Sequence, residues 1–178
     1  MQYSQKNNIF IEQNHKITGP RMSDSLYAKA ISSLIVVCSD AIIVDYEKKL
    51  IYLAKRSVKP MQGYWTIGGR RKAGDSSHDS IVKTFLRETS IVTKRNQFSY
   101  ISTKEVIWKD RKERPTNIGK HDLIQFFAIE LSKAQLSKAS NNLCKNEYEP
   151  SGLKGFDKSS LKINKIHPLM LEIYNEIF

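Results

Sequence analysis

The sequence has few cysteines and no long apolar segment, and these absences exclude several classes of protein. Only Cys38 and Cys144 occur among 178 residues, with no Cys-x-x-Cys spacing, so neither a disulfide framework nor a cysteine metal site is expected. Apolar runs such as residues 34–38 fall far short of the roughly 18 to 20 residues that span a bilayer. Residues 1–8 are polar and lack the basic-then-apolar order of a secretory signal. We therefore expect a soluble, cytoplasmic protein without a membrane partner.

Acidic residues are also scarce relative to basic ones. Lys and Arg number 29 against 18 Asp and Glu, which gives a formal net charge of +11. Such an excess attracts anions, among them nucleotides, nucleotide sugars, RNA and acidic membranes, and does not choose among them. Much of it is Lys scattered through polar stretches, which is equally typical of a solvated surface. No aromatic and basic signature accompanies the charge, so nucleic acid is not an expected partner.

Length and composition predict one folded domain with an N-terminal extension. With 178 residues and 40% hydrophobic content, the chain can bury one core, and a second ordinary domain would not fit. Residues 1–28 show no sustained period and contain Gly19-Pro20, so we expect an extension there and one domain over residues 29–178. The polar stretch Ser132–Ser151 predicts a flexible loop within that domain.

The spacing of apolar residues predicts both helices and strands. Apolar residues recur at helical spacing in Asp75–Ser90 and in Pro168–Phe178. Ser76 and Asp79 supply a capping-box pattern at the start of the first segment. Runs rich in branched aliphatic and aromatic residues predict strands at Ser33–Ser39, Ala41–Tyr46, Leu50–Lys55, Phe98–Trp108 and Leu123–Leu131, with a short one at Ile9–Ile11. The chain is therefore expected to be an α/β protein.

The segment after the third of these domain strands carries the functional information. A strand ending in Lys55-Arg56 precedes Pro60-Met61-Gln62-Gly63-Tyr64-Trp65 and then Gly68-Gly69-Arg70. This arrangement resembles the lead-in of a Nudix domain and is most similar to the GDP-mannose mannosyl hydrolases of that superfamily. Between Trp65 and Gly68 the chain is one residue shorter than that family and lacks its usual Pro before the glycines. The resemblance covers about residues 32–178 and implies a Nudix-type α/β/α sandwich around a mixed β-sheet.

The Nudix box that follows is degenerate. Its pattern is Gly, five residues, Glu, seven residues, Arg-Glu, an aliphatic, any residue, Glu-Glu, any residue, Gly and an aliphatic. Carboxylates at positions 84, 87 and 88 would share a helix face and converge on divalent cations. Here the residues are Thr84, Arg87 and Glu88, and Ser90 replaces the Gly. One carboxylate beside a permanent positive charge disfavours a standard Nudix pyrophosphohydrolase, and Arg87 could itself hold an anion in place of the metal.

The mannosyl hydrolases also have a degenerate box and chiefly retain the residue that matches Glu88. The resemblance implies one Mg²⁺ ion held by Glu88, by the backbone carbonyl of Gly68 and by a later loop residue, with water attacking the sugar carbon. In that loop the family has a Gln-His pair, where this chain has Glu149-Pro150. Glu149 would then be the third metal ligand, and Glu88 and Glu149 are the expected catalytic residues.

The resemblance also implies which residues bind the substrate. Arg56 and Arg70 would hold the diphosphate, because guanidinium groups suit its oxygen geometry, and Gln62 of the shared motif would join them. Since Pro150 cannot accept a proton, the general base would be Glu149, Glu147 or His121. These three alternatives remain open.

Three functional hypotheses follow. The first is a divalent-metal-dependent hydrolase that splits a nucleoside-diphosphate sugar such as GDP-mannose into sugar and nucleotide. The second is a catalytically inactive Nudix fold that binds a nucleotide as a sensor or regulatory protein. The third is a nucleic-acid-binding protein that uses the basic loop Lys109–Lys120. The expected partner is a small nucleotide or nucleotide sugar, catalytic activity is left undecided by the incomplete box, and a homodimer is left open.

Overall fold

The computed structural model describes residues 3–6, 9–12 and 22–178, with side chains from residue 22 onward. The predicted N-terminal extension, residues 1–28, falls largely outside the described side chains. The elements, in chain order, are β1 (Tyr3–Lys6), β2 (Ile9–Glu12), α1 (Asp24–Ala30), β3 (Val36–Asp45), β4 (Leu50–Arg56), β5 (Gly63–Trp65), β6 (Ile67–Arg70), α2 (Ser77–Thr89), β7 (Ser99–Trp108), β8 (Lys120–Glu130), α3 (Lys133–Asn141), β9 (Tyr148–Phe156), α4 (Lys158–Ile163) and α5 (Pro168–Ile177).

Seven strands form one mixed sheet with β3 near its centre. The order is β5-β4-β3-β8-β7, and in addition β6 pairs with β3 and β9 pairs with β4. β3 runs parallel to β8 along its length and antiparallel to its other partners. Its ten residues let it pair with β6 through Cys38–Ala41 and with β4 through Ile43–Asp45. β1 and β2 form a separate antiparallel pair, and β2 covers the short strand predicted at Ile9–Ile11.

Helices cover both faces of this sheet, which confirms the predicted α/β/α sandwich. We call the side that packs against α4 and α5 the α5 face, and the side that packs against α2 and α3 the α2 face. Alternate residues of β3 enter the two cores: Ile42 and Val44 on the α5 face, Ala41 and Ile43 on the α2 face. Tyr27 of α1 also packs against the α5-face core, so α1 crosses the domain boundary predicted after residue 28 and contacts the domain.

Helix α2 begins where the sequence predicts. The Ser76 hydroxyl accepts a hydrogen bond from the Asp79 backbone N–H at 3.0 Å, which satisfies a donor left free at the helix start. Ile81 and Phe85 are completely buried against the sheet. The helix ends at Ser90, whose φ of 58° is the left-handed conformation that usually favours glycine.

Two secondary-structure predictions are wrong. Ser33–Ser39 and Ala41–Tyr46, predicted as separate strands, belong to the single strand β3, because Asp40 between them is buried with hydrogen-bond partners and does not interrupt pairing. Ser132–Ser151, predicted as a flexible loop, contains α3 and the start of β9. Ser132 and Gln135 form a capping box that begins α3. Among the described residues, no helix has the length and apolar character needed to cross a bilayer.

Candidate functional site

The glycine pair of β6 lies between the two faces of the sheet. Gly68 pairs with Asp40 of β3, and a Cβ atom at position 68 would lie 1.9 Å from the Asp40 Oδ1 atom. A Cβ atom at Gly69 would instead point towards α2, 3.0 Å from Nη2 of Arg87 and 3.6 Å from Cγ2 of Thr84. Because side chains alternate along a strand, the two glycines leave room for different neighbours, one on each face. The predicted metal ligand Gly68 therefore lies one residue from the contact with α2.

Arg87 and Glu88 form an ion pair beside this glycine pair. The Nε and Nη2 atoms of Arg87 both lie 2.7 Å from Oε1 of Glu88. The Glu88 side chain is 3% exposed, whereas that of Arg87 is 55% exposed. The second carboxylate oxygen, Oε2, is buried and has no hydrogen-bond partner among the described residues. One carboxylate oxygen of Glu88 is thus paired with the Arg87 guanidinium, and the other has no hydrogen-bond partner among the described residues.

A second cluster of charges is built by the ends of β4 and β9. Nη2 of Arg56 lies 3.0 Å from Oε2 of Glu147, and Nζ of Lys112 lies 3.1 Å from the other oxygen of Glu147. The Arg56 side chain is only 20% exposed, and its buried Nε has no hydrogen-bond partner in the described part of the chain. A half-enclosed guanidinium with an unused donor is suited to binding an anion.

Tyr148 connects the two charge clusters. Burial raises the pKa of Tyr148, the negative charge of Glu88 raises it further, and the positive charge of Arg56 opposes this rise. Backbone contacts join the same residues. Arg56 pairs with Tyr148 across β4 and β9, the Tyr148 N–H donates to the Cys144 carbonyl at 3.0 Å, and the Cys144 N–H donates to the Glu88 carbonyl at 3.0 Å. The sequence did not single out Tyr148. Its position beside the considered base Glu147 was the only available signal.

The other predicted site residues have different contacts. Glu149 pairs with Lys55 at 2.9 Å, and strand alternation directs it away from the face that Tyr148 occupies. The Arg70 guanidinium lies 3.9 Å above the ring of Tyr27, on the α5 face. Gln62 donates a hydrogen bond from Nε2 to the backbone carbonyl of Ser57 at 3.0 Å. The structure thus brings Arg56, Glu88 and Glu147 into one region, and it gives Glu149, Arg70 and Gln62 other partners.

Two surface cavities lie elsewhere in the fold. A cavity of about 470 Å³ is bounded by the β3–β4 turn and the start of α3. Another, of about 340 Å³, is lined by Ser32–Ile35, Trp108 and His121, the third residue considered as a base. The Nε2 atom of His121 lies 3.6 Å from Oε2 of Glu105, so His121 faces the outer edge of the sheet. Arg56, Glu88 and Glu147 line neither cavity.

The α5 face holds two buried carboxylates of another kind. Oδ2 of Asp40 accepts hydrogen bonds from Nε1 of Trp65 and from the hydroxyl of Thr66, at 3.2 and 2.6 Å. Oδ2 of Asp122 accepts a hydrogen bond from Nε1 of Trp108 at 2.7 Å and lies 2.9 Å from Nζ of the largely buried Lys120. Burial raises the pKa of Asp40, and the hydrogen bond from Thr66 and the charge of Arg56 oppose that rise. The two indole rings meet edge to face with centroids 5.5 Å apart.

The side chains around Glu88 do not fit a divalent metal ion as they stand. A divalent cation needs several oxygen ligands, yet Oε1 of Glu88 already binds Arg87, and Glu149 pairs with Lys55. Within residues 22–178, no group of three His, Cys, Asp or Glu side chains is arranged to hold a metal ion. The Arg87 guanidinium already neutralises the buried carboxylate of Glu88.

Comparison with known proteins identifies the fold. By sequence, the chain matches no known family profile and no curated protein. By structure, it is similar to a MutT NUDIX hydrolase from Burkholderia pseudomallei, with 16% identity, a TM-score of 0.59, and coverage of 82% of this chain and 100% of that chain. It is also similar to the E. coli dihydroneopterin triphosphate pyrophosphohydrolase (12% identity, TM-score 0.54, 81% and 97% covered) and to a C. elegans Ap4A hydrolase (11%, 0.52, 80% and 95%). The chain therefore has the fold of the Nudix hydrolases, as the sequence predicts.

Proposed function

We propose that this protein binds the diphosphate group of a nucleotide derivative, such as a nucleotide sugar, between Arg56 and Arg87. The observation that carries the proposal is the half-enclosed guanidinium of Arg56, whose buried Nε has no hydrogen-bond partner in the described part of the chain. Because Nε is buried, the Arg56 side chain would have to shift before a phosphate oxygen accepts from that donor. Lys112 would add a second positive charge at the same place. Two solved proteins with this fold are named for phosphate-linked substrates, a triphosphate and Ap4A.

The test is a thermal-shift panel of GDP-mannose, other nucleoside-diphosphate sugars, free nucleoside diphosphates and inorganic phosphate, each with and without Mg²⁺. A ligand that binds the folded state raises the melting temperature, and product analysis of each positive ligand then separates binding from turnover. Arg56→Met should weaken binding about tenfold or more, since a hydrogen bond to a charged group contributes roughly 1.5 to 3 kcal/mol. No response to any ligand would contradict the proposal.

A matched control for Arg56→Met is Arg95→Met. Arg95 is also a partly exposed arginine with a carboxylate partner. That partner is Asp79 in the first turn of α2, whereas Arg87 and Glu88 lie in its last turn. Loss of Arg95 lowers the net charge by the same amount without touching Arg56 or Arg87. Equal weakening by both variants would mean that the overall positive charge, rather than a site at Arg56, attracts the nucleotide.

Arg70 and Gln62 remain part of the proposal as further substrate contacts. Arg70 would have to leave the ring of Tyr27, and Gln62 would have to release the carbonyl of Ser57, before either could bind a phosphate. Arg70→Met and Gln62→Ala belong in the same ligand panel. Weaker binding would retain each residue in the site, and unchanged binding would remove it.

Hydrolysis of a nucleotide sugar, GDP-mannose being the first substrate to test, is a second candidate function. The observation that favours it is the buried Oε2 atom of Glu88, which has no hydrogen-bond partner in the described residues. This candidate requires sugar release that depends on Mg²⁺ and is greatly reduced in Glu88→Gln, and it requires Glu88 to exchange Arg87 for the ion. Undiminished release in excess chelator would contradict a metal-dependent hydrolase.

The general base of that reaction can be assigned by comparing three variants. Glu147 lies against Arg56, Glu149 lies against Lys55, and His121 lies near Glu105. Among Glu147→Gln, Glu149→Gln and His121→Gln, the variant that lowers kcat while leaving KM unchanged identifies the base. The location beside Arg56 favours Glu147 over the predicted Glu149.

A further inference from the structure

The pair formed by Arg87 and Glu88 has an unusual geometry for adjacent residues of a helix. Neighbours in a helix point about 100° apart and do not normally face each other. Here the Arg87 side chain turns back so that two of its nitrogens lie 2.7 Å from one oxygen of Glu88. Because Glu88 is buried, its carboxylate is fixed in position, and it positions the more exposed side chain of Arg87.

The glycine pair makes room for the held guanidinium. A Cβ atom at Gly69 would lie 3.0 Å from Nη2 of Arg87, closer than most contacts with a Cβ atom. The guanidinium therefore occupies the space between the carboxylate of Glu88 and the backbone of β6. A permanent positive charge therefore lies between the carboxylate of Glu88 and the glycine pair.

The outer side of this guanidinium is available to a ligand. The Arg87 side chain is 55% exposed. Within the described residues, its contacts with Glu88 use Nε and Nη2, so Nη1 can still donate a hydrogen bond to a ligand. Nearby, Arg56 and Lys112 share the one carboxylate of Glu147. These three cations and two carboxylates leave one positive charge in excess, which favours an anionic ligand over a further cation.

We propose that Arg87 is a resident cation that takes the role of a metal ion, so that this protein binds a diphosphate without any divalent metal. The inference rests on the proposed function, because it concerns how that same site holds its ligand. It also explains why the surroundings of Glu88 do not fit a metal ion: a divalent cation placed on Oε2 would be repelled by the guanidinium on Oε1.

The first experiment titrates GDP into the whole protein by calorimetry, once with excess Mg²⁺ and once with excess EDTA. We expect the two dissociation constants to agree within about twofold, and Arg87→Gln to weaken binding about tenfold in EDTA because a charged hydrogen bond is lost. Binding that disappears in EDTA, or that is unchanged in Arg87→Gln, would overturn the inference.

The second experiment uses Mn²⁺ alone and does not depend on any nucleotide. Glu88 of the wild-type protein should not bind Mn²⁺. Any Mn²⁺ binding by the wild type should therefore be unchanged in Glu88→Gln. Arg87→Glu creates two adjacent carboxylates and should gain Mn²⁺ binding. Lys162→Glu makes the same charge change at an exposed position of α4, on the other side of the sheet, and should not. Mn²⁺ binding by wild type that is lost in Glu88→Gln, or equal gains in Arg87→Glu and Lys162→Glu, would contradict the inference.

The two experiments separate the failure of this inference from the failure of the proposed function. If GDP and the other panel ligands do not bind in Mg²⁺ or in EDTA, the proposed function fails. The Mn²⁺ titration still decides whether Arg87 occupies a cation position. If GDP binds only with Mg²⁺, the proposed function stands and the role of Arg87 as a resident cation is rejected.

Discussion

The α5 face and the α2 face of the sheet each bury a carboxylate beside the glycine pair, but the two carboxylates have different partners. On the α5 face, Asp40 accepts hydrogen bonds from Trp65 and Thr66, which are themselves buried. On the α2 face, Glu88 is paired with a guanidinium that is half exposed to solvent.

This difference separates a structural role from a binding role. A carboxylate whose partners are fixed in the core stabilises the packing of those partners and cannot reach a ligand. A buried carboxylate that holds an exposed cation orients that cation towards solvent, as a binding site requires. The α5 face should therefore respond to substitution through stability, and the α2 face through ligand affinity.

The largest expected effect comes from Gly68→Ala, which tests how tightly the side chains of the α5 face pack around Asp40. The new Cβ would lie 1.9 Å from the buried carboxylate of Asp40, which cannot move without breaking its bonds to Trp65 and Thr66. We expect a loss of about 3 kcal/mol in the free energy of unfolding, measured by urea denaturation.

Gly69→Ala is the matched control for Gly68→Ala, because it adds the same methyl group on the α2 face. There the contact is the end of the flexible Arg87 side chain at 3.0 Å, which can move aside. We expect a loss below about 1 kcal/mol together with weaker diphosphate binding. Equal losses of stability in both variants would remove the distinction between the faces.

A double-mutant cycle of Arg87→Ala and Glu88→Gln measures the ion pair of the α2 face directly. We expect a coupling energy of about 1 kcal/mol in urea denaturation, because the exposure of Arg87 screens the pair. A coupling energy near that of a fully buried pair, about 3 kcal/mol or more, would show that Arg87 is part of the core and not available to a ligand.

His167 provides a pH test of the α5 face. Burial lowers the pKa of His167 below its usual value of 6.5, and its Nδ1 accepts a hydrogen bond from the backbone N–H of Leu169 at the start of α5. Between the lowered pKa and 6.5 the folded protein binds fewer protons than the unfolded chain, so stability is complete above pH 6.5 and falls as the pH drops through that window. We expect the melting temperature to decrease from pH 8 to pH 5, with His167 contributing to that decrease.

The variant His167→Asn separates this contribution from that of the other histidines. Asn retains a side-chain acceptor at the helix start and does not titrate. The melting temperature of the variant should therefore change less between pH 8 and pH 5 than that of the wild type. An equal change in both proteins would mean that His167 titrates normally.

The smallest expected effect is that of Arg70→Met, at the rim of the α5 face. The variant loses the contact between the guanidinium and the ring of Tyr27, which contributes about 0.5 kcal/mol at an exposed position. Urea denaturation would show this small loss. A normal free energy of unfolding combined with weakened nucleotide binding would instead assign Arg70 to the ligand site.

Much of the fold could be predicted from sequence because its signals are local. The capping pattern of Ser76 and the apolar residues Ile81 and Phe85 place α2 almost to the residue. Helix α3 was missed because only Ala139 among its residues is buried, which leaves no apolar period to detect. The capping box of Ser132 and Gln135 was the one local signal for it.

The site was less predictable because its contacts join distant parts of the chain. Spacing alone was enough to predict Glu88 as a candidate, since the motif is a local pattern. The pairing of Arg56 with Glu147 depends on the register of β4 with β9, which no local pattern contains. An alignment through a polar segment cannot distinguish Glu147 from Glu149, although the two residues pair with different side chains, Arg56 and Lys55.

The parallel pairing of β3 with β8 has a consequence for how the chain folds. Val36 pairs with Asp122 and Val44 with Glu130, so the centre of the sheet joins segments separated by half of the sequence. Closing so large a loop costs entropy before any contact of that pair compensates for it. During synthesis, β3, β4 and α2 emerge first and must wait with an apolar strand edge uncovered until β8 leaves the ribosome. We expect this interval to be when the protein depends most on chaperones.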